Sequence, residues 1–404
     1  MAKRIAVVGA LDTKGAEFAF VKSVIEQRGL SVLLINTGVM DEPRLAPEIS
    51  SEEVARAGGT TLAVLRERKD RGEAMKVMAA GAAAVAARLH QEGKIDGILG
   101  MGGSAGTAVA TAAMRALPVG FPKVMVSTVA AGDTRGYVGT KDITMIPSVV
   151  DVSGVNRISR EIFTRAAGAI CGMAEAAVQP GEDKPLLAAS MFGNTTKAVD
   201  RGRAVLEEYG YEVLVFHCTG TGGATMESLV DAGFIDGVFD ITTTEWADEV
   251  AGGVMAAGPG RGDAAARRGI PQVIAPGCVD MVNFWARATV PAQYQERNLY
   301  EWNPNVTLMR TTAAENAEIG RRLAAKANAS TGPVAFLLPL RGVSILDSEG
   351  GAFWDPDADR ACFDAIKENV RPGIPVIEMD CNINDTEFAD KAAELLLEML
   401  KKKA

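Results

Sequence analysis

The chain has 404 residues, with 51 acidic against 42 basic side chains, a net charge of −9, two histidines and five cysteines. Hydrophobic residues make up 48% and charged residues 23%, which excludes disordered and fibrous classes, and the length implies two or three domains. The acidic balance argues against nucleic acid or an anionic membrane as partner, since both attract a basic face. His90 and His217 are too few for a multi-histidine zinc site. The scattered Cys171, Cys218, Cys278, Cys362 and Cys381 read as reduced thiols of the cytoplasm.

From the N-terminus, Met1-Ala2-Lys3-Arg4 runs directly into Ile5-Ala6-Val7-Val8, a strand rather than the apolar core of a signal peptide, so a cytoplasmic location is expected. The longest notable apolar stretch, 77–87, lies between Lys76 and Arg88 and falls short of the ~20 residues of a membrane span. Short β-branched runs at 5–8, 32–36, 95–99, 124–126, 187–191, 213–216, 235–239, 273–275, 334–338 and 376–379 predict strands. Helical periodicity falls between them at 15–28, 73–91, 155–177, 197–208, 312–328 and 386–402. This alternation predicts βα units around parallel sheets. Gln179-Pro180-Gly181-Glu182-Asp183-Lys184-Pro185 suits an exposed connection, dividing an N-terminal domain, 1–179, from a C-terminal one, 185–404.

The halves resemble each other. Gly29-Leu30-Ser31-Val32-Leu33-Leu34 returns as Gly210-Tyr211-Glu212-Val213-Leu214-Val215, a shift of 181, and Ile95-Asp96-Gly97-Ile98 returns as Ile235-Asp236-Gly237-Val238, a shift of 140. Strand 5–8 with Thr13-Lys14 matches 188–191 with Thr196-Lys197, and Phe121-Pro122-Lys123-Val124 matches Ile270-Pro271-Gln272-Val273. The fall in shift gives the first half about 41 extra residues between Asn36 and Ile95. The expected architecture is two doubly wound, Rossmann-like parallel-sheet domains related by internal duplication, with a cleft between them.

In such sheets ligands bind beyond the carboxyl ends of the strands, where backbone N–H groups and helix N-termini face an anion. Gly102-Gly103-Ser104-Ala105-Gly106-Thr107 follows a strand and precedes a helix, with glycines for close approach and the Ser104 and Thr107 hydroxyls for phosphate oxygens or magnesium. It matches neither a Walker A loop nor a first-strand G-x-G-x-x-G. Asp12-Thr13-Lys14-Gly15 offers Lys14 to a phosphate and Asp12 to a metal or ribose, or else Asp12 caps the following helix. Ser127-Thr128 and Gly132-Asp133-Thr134 follow the fourth strand, with Asp133 a magnesium ligand or a turn former.

In the second half the glycine stretch maps onto Thr242-Thr243-Thr244-Glu245, whose carboxylate would repel phosphate. Its strand ends offer His217, Cys218, Thr219, Glu245, Asp280, Asn283, Arg310 and Arg341. One reading makes His217, Glu245 and Asp280 acid/base groups and gives Thr219, Thr243, Asn283, Arg310 and Arg341 to a small hydroxy- or keto-acid. The other makes the cluster structural, its members paired with one another under a closed surface.

Further motifs are Gly9-Ala10-Leu11 before Asp12, Tyr137-Val138-Gly139, Asp280-Met281-Val282-Asn283-Phe284, Val306-Thr307-Leu308-Met309-Arg310-Thr311 and Phe353-Trp354-Asp355-Pro356. With the glycine stretch, Phe216-His217-Cys218-Thr219-Gly220 and Thr242-Thr243-Thr244-Glu245, they make the chain resemble the ATP-binding family of the plant tobamovirus-resistance protein over essentially its whole length. The resemblance implies two Rossmann-like subdomains, ATP with magnesium held by the first, and a homodimer. Where family members often carry histidines, this chain reads Tyr300-Glu301-Trp302-Asn303-Pro304. The plant version's barrel-type module has no counterpart in these residues, so its antiviral binding role does not carry over. Three functions stay open: an ATP-binding protein or ATP-dependent enzyme, an enzyme acting on a small, possibly phosphorylated acid without ATP, and a non-catalytic interaction protein.

Overall fold

The computed structural model describes residues 2–179, 181 and 183–403, apart from the side chains of residues 402 and 403. The chain forms two compact units, Met1–Pro180 and Gly181–Ala404. In the first, β1 (Arg4–Gly9), β2 (Ser31–Asn36), β3 (Gly97–Gly102), β4 (Lys123–Ser127) and β5 (Thr144–Pro147) make one parallel sheet in the order β2-β1-β3-β4-β5. Apolar residues run without alternation along β1 because both faces are covered. Ile5 and Val7 pack with Phe18, Ile25 and Phe163 from helices Gly15–Gln27 and Arg157–Glu175. Ala6 and Val8 pack on the opposite face with Val54, Val85 and Ala110. The extra residues after β2 build that second cover: Ser51–Ala57, closed by a Ser50/Glu53 capping box, then Leu62–Arg68 and Arg71–Gln91.

The third strand lies further along than the apolar run at 95–99 indicates. Asp96 is a strap ahead of it, its N–H donating to Arg4 O at 2.8 Å and its carboxylate accepting from Lys3 and Arg4. The ladder instead extends through the glycines, pairing Gly100 with Met125 and Gly102 with Ser127. A Cβ on Gly100 would sit 2.6 Å from Ala110 Cβ, so close packing, not turn formation, uses that glycine.

The second unit has a six-stranded parallel sheet of β6 (Leu186–Met191), β7 (Glu212–His217), β8 (Gly237–Thr242), β9 (Gln272–Gly277) and, after the insertion below, two more strands. The insertion is an antiparallel ribbon, β10 (Met281–Phe284), β11 (Leu299–Asn303) and β12 (Val306–Arg310), ordered β10-β12-β11. β13 (Val334–Pro339) and β14 (Val376–Met379) complete the sheet in the order β14-β13-β9-β8-β6-β7. The first four strands of each unit therefore share one order. Equivalent straps recur: Asp236 N–H donates to Leu186 O at 2.8 Å as Asp96 N–H does to Arg4 O, and Val238 N–H to Pro271 O at 2.9 Å as Ile98 N–H does to Pro122 O. Among the described residues no helix is long and apolar enough to cross a membrane.

Candidate functional site

In the first unit the glycine stretch is a junction and not a loop. Gly102 ends β3, Gly103 is the N-cap, and Ser104 opens helix Ser104–Arg115. No side chain caps that helix, and the N–H groups of a first turn have no partner within a helix. Gly103 has φ −75°, and a Cβ there would meet only Thr128 Oγ1 at 3.7 Å, so neither backbone strain nor packing requires glycine. Gly102 is tighter, its Cβ position lying 3.0 Å from Gly106 Cα, and Ala105 follows Ser104 in the first turn. Ser104 and Thr128 are exposed, whereas Thr107 is buried with Oγ1 bonded to Gly103 O at 2.8 Å and Ser127 Oγ at 2.6 Å. Thr107 thus ties the junction to β4.

The flanking loops are more committed than their residue types indicate. Asp12 is buried and caps no helix. Its Oδ1 accepts from Thr13 N–H at 2.8 Å and its Oδ2 from Met40 and Asp41 N–H at 3.1 and 3.4 Å, holding the segment after β2. Lys14 Nζ donates to Val152 O, and Thr13 is exposed. Asp133 is exposed and forked by Arg135, whose Nη2 lies 2.6 Å from Asp133 Oδ2; these bonds hold its carboxyl down to about 2. A metal ion there would have to displace Arg135.

The second unit repeats the junction with threonines and a glutamate. Thr242 ends β8, Thr244 is the N-cap, and Glu245 opens helix Glu245–Ala251. Glu245 Oε1 accepts from Gly220 N–H at 2.8 Å and Gly223 N–H at 3.1 Å, capping the N-terminus of helix Thr221–Asp231 with a built-in anion. Its Oε2 accepts from Arg261 Nε at 2.8 Å, and Arg261 also forks Asp240 at 2.8 and 2.5 Å. Burial works against the Arg261 charge, but Asp240 and Glu245 hold it firmly protonated. Glu245 therefore has no free oxygen facing solvent for acid/base work. Sequence reasoning missed Arg261; the available signal was Asp240, a charge inside the apolar strand Val238-Phe239-Asp240-Ile241.

Arg310 is likewise consumed internally. Its guanidinium bonds Asp359 Oδ1 at 2.7 Å, Phe353 O at 2.8 Å and Thr311 Oγ1 at 2.9 Å, with Asp347 Oδ1 at 3.6 Å. Asn283 binds Asp248 through its N–H at 2.9 Å and Nδ2 at 2.6 Å. Burial pushes Asp248 up to about 7, against the pull of those bonds. Asp280 is buried with Oδ2 on Ser344 Oγ at 2.8 Å; burial first, then Asp347, push it up to about 7. Thr243 Oγ1 is bonded to Ala275 O at 3.0 Å. Cys218 is buried, and burial together with Glu245 raises its thiol well above the usual range, which leaves it unreactive.

Three predicted groups remain near the surface. His217 is exposed and stacks on Phe192 with ring centroids 5.2 Å apart. Thr219 bonds His217 O at 3.3 Å, and Arg341 forms an exposed fork with Asp380 at 2.7 and 2.9 Å. The second-unit residues thus divide into paired interior groups and separate surface groups, instead of converging around a ligand.

Comparison with known proteins accords with this two-unit organisation. Residues 3–179 match the model of the N-terminal domain of the uncharacterised protein family UPF0261, and residues 184–400 that of its C-terminal domain. A UPF0261 protein of Clostridium tetani is 52% identical over the full length of both chains. The ToMV resistance protein Tm-1(GCR237) of Solanum lycopersicum is 40% identical over 82% of this chain and 45% of the tomato protein. A putative UDP-N-acetylglucosamine 2-epimerase structure from Listeria monocytogenes aligns with 68% of this chain and 79% of its own at 11% identity, with a TM-score of 0.26, too low to carry an inference. With both domain models matched across nearly its whole length, the chain belongs to the UPF0261 family, which includes bacterial proteins and the tomato Tm-1 proteins as relatives.

Proposed function

We propose that the first unit binds ATP with magnesium, with the phosphates on the N-terminus of helix Ser104–Arg115. The observation that carries this reading is the uncapped first turn beside a glycine that neither strain nor packing demands. A helix N-terminus at the carboxyl edge of a parallel sheet attracts phosphate through its free N–H groups and its dipole. The exposed Ser104 and Thr128 hydroxyls would face the phosphate oxygens or their magnesium, and Lys14 or Asp133 would join only by leaving Val152 O or Arg135. In the second unit Glu245 caps a different helix, Thr221–Asp231, from within, while the equivalent helix Glu245–Ala251 likewise lacks a side-chain cap.

Calorimetric titration with ATP·Mg tests the proposal. Binding in the wild type that disappears in Gly103→Val, with circular dichroism and unfolding unchanged, supports it. Equal affinity in the two proteins removes the junction from the site. The reading includes a homodimer, which light scattering at micromolar concentration checks against the mass of one chain. A small hydroxy- or keto-acid site in the second unit gains no support from the geometry, because Glu245 and Arg310 spend their bonding capacity on the protein itself and Asn283 donates to Asp248.

A further inference from the structure

Among the described residues of the second unit, seven buried side-chain oxygens have no hydrogen-bond partner, and three of them, Asn194 Oδ1, Asp280 Oδ1 and Asn384 Oδ1, belong to residues linked by shared contacts. Asp280 and Asn194 are 0% and 1% exposed. An orphaned buried acceptor has lost its hydration without replacement, so three in one neighbourhood call for a partner. They stand on loops after β6, β9 and β14, and shared contacts bring them together. Ser344 Oγ donates to Asp280 Oδ2 at 2.8 Å, and the next residue, Ile345, donates its N–H to Asn194 O at 3.2 Å. Asn194 Nδ2 lies 3.5 Å from the sulfur of Met281, the neighbour of Asp280. Asn384 Nδ2 donates to Asn194 O at 2.9 Å, which fixes its amide orientation and leaves Oδ1 as the unpartnered atom.

The charge around this cluster is unbalanced. Asp280, Asp347 and Asp359 are all buried near one cation, Arg310. With all three carboxyls ionised, two negative charges remain uncompensated, equal to two protons or one divalent cation.

We propose that Asp280 Oδ1, Asn194 Oδ1 and Asn384 Oδ1 hold a hard divalent cation of the calcium type, which joins the ends of β6, β9 and β14. One carboxylate and two amide oxygens, without sulfur or imidazole, suit an oxygen-seeking ion, and calcium tolerates irregular oxygen sets better than magnesium does. Among the described residues no three His, Cys, Asp or Glu side chains converge as a metal group, so this mixed amide set is a different kind of site. Its oxygens are sealed from solvent, so the ion enters during folding or on loop opening.

The test uses the full chain, unfolded and refolded in EDTA, then refolded with calcium, magnesium or potassium at pH 8 without nucleotide. Calcium at 1 mM is expected to raise the unfolding temperature by about 5 °C, with a smaller effect from magnesium and none from potassium. Asp280→Asn should abolish the shift. Asn384→Asp, which adds a second carboxylate, should tighten calcium binding at least tenfold and keeps the proposal testable if the first variant does not fold. No calcium shift in the wild type, an equal shift in Asp280→Asn, unchanged affinity in Asn384→Asp, or a response to magnesium or potassium alone would each overturn it. Gly103→Val should keep the calcium shift, so failure here and failure of nucleotide binding are separate results.

Discussion

Glu245 Oε2 accepts the Nε–H of Arg261 at 2.8 Å in the interior of the second unit, with the two residues 1% and 2% exposed. The other oxygen of the same carboxylate caps a helix through Gly220 and Gly223. Helix Glu245–Ala251, the equivalent of Ser104–Arg115 in the first unit, has no side-chain cap either; the protein's own anion closes the neighbouring helix, Thr221–Asp231, and is in turn held by a buried guanidinium. That network is part of the second unit's stability.

Arg261→Met leaves the carboxylates of Glu245, Asp240 and Glu227 without their shared cation. Breaking one side of a buried ionic network costs about 3–5 kcal/mol, more than the added apolar contact returns. Denaturant unfolding should show that loss. Arg341→Ala, which removes an exposed pair with Asp380, should leave the midpoint unchanged.

Helix Arg71–Gln91 crosses helix Ser51–Ala57 at Gly81, where an added Cβ would sit 1.9 Å from Val54 O. Alanine in a helix interior normally gains about 1 kcal/mol over glycine. Here a rigid backbone atom blocks the methyl, and forced overpacking costs about 1–3 kcal/mol. Gly81→Ala should therefore destabilise, while Gly172→Ala, with nothing within 4 Å, should stabilise by about 1 kcal/mol. Paired urea titrations check the opposite signs.

The raised Asp248 gives a pH dependence of known sign. Its carboxyl is pushed from 3.8 to about 7 by burial, so between those values the folded chain holds a proton that the unfolded chain has lost. Stability contributed by this proton is fully present below pH 3.8 and falls, by about 1.4 kcal/mol per pH unit, as pH rises to about 7. Asp248→Asn should flatten this slope between pH 4 and 7 by one proton's worth. The unpartnered Asn283 Oδ1 can turn to accept from the new amide, which keeps the pair bonded. An unchanged slope in pH-resolved urea unfolding would reject the assignment.

Val149 has φ +62° and is 76% exposed, between Ser148 and Val150, whose N–H donates to Ser148 O at 2.7 Å. A β-branched residue in that conformation costs about 1–3 kcal/mol, whereas the extra freedom glycine brings to the unfolded chain costs about 0.5–1 kcal/mol. Val149→Gly should stabilise the first unit by about 1 kcal/mol, measured by chemical unfolding.

The sequence by itself determined the two-unit α/β organisation and most of the parallel strands. Strands buried on both faces demand unbroken apolar runs, as in Ile5-Ala6-Val7-Val8, and the run at 376–379 coincides with β14. Tertiary pairing decided where β3 and β8 begin, because Asp96 and Asp236 are strapped outside the ladder while glycine-rich and threonine-rich ends continue it. It also decided the β10-β12-β11 ribbon, whose short, polar-interrupted strands gain their order from antiparallel partners. At the candidate sites the sequence supplied the uncapped glycine junction, a local property of strand, glycine and helix. It could not tell a free carboxylate from a paired one. Arg261 lies 16 residues from Glu245, and Asp359 lies 49 residues from Arg310. Whether a charge is available for chemistry depends on what the fold brings within about 3 Å of it, and that distance is set in space and not along the chain.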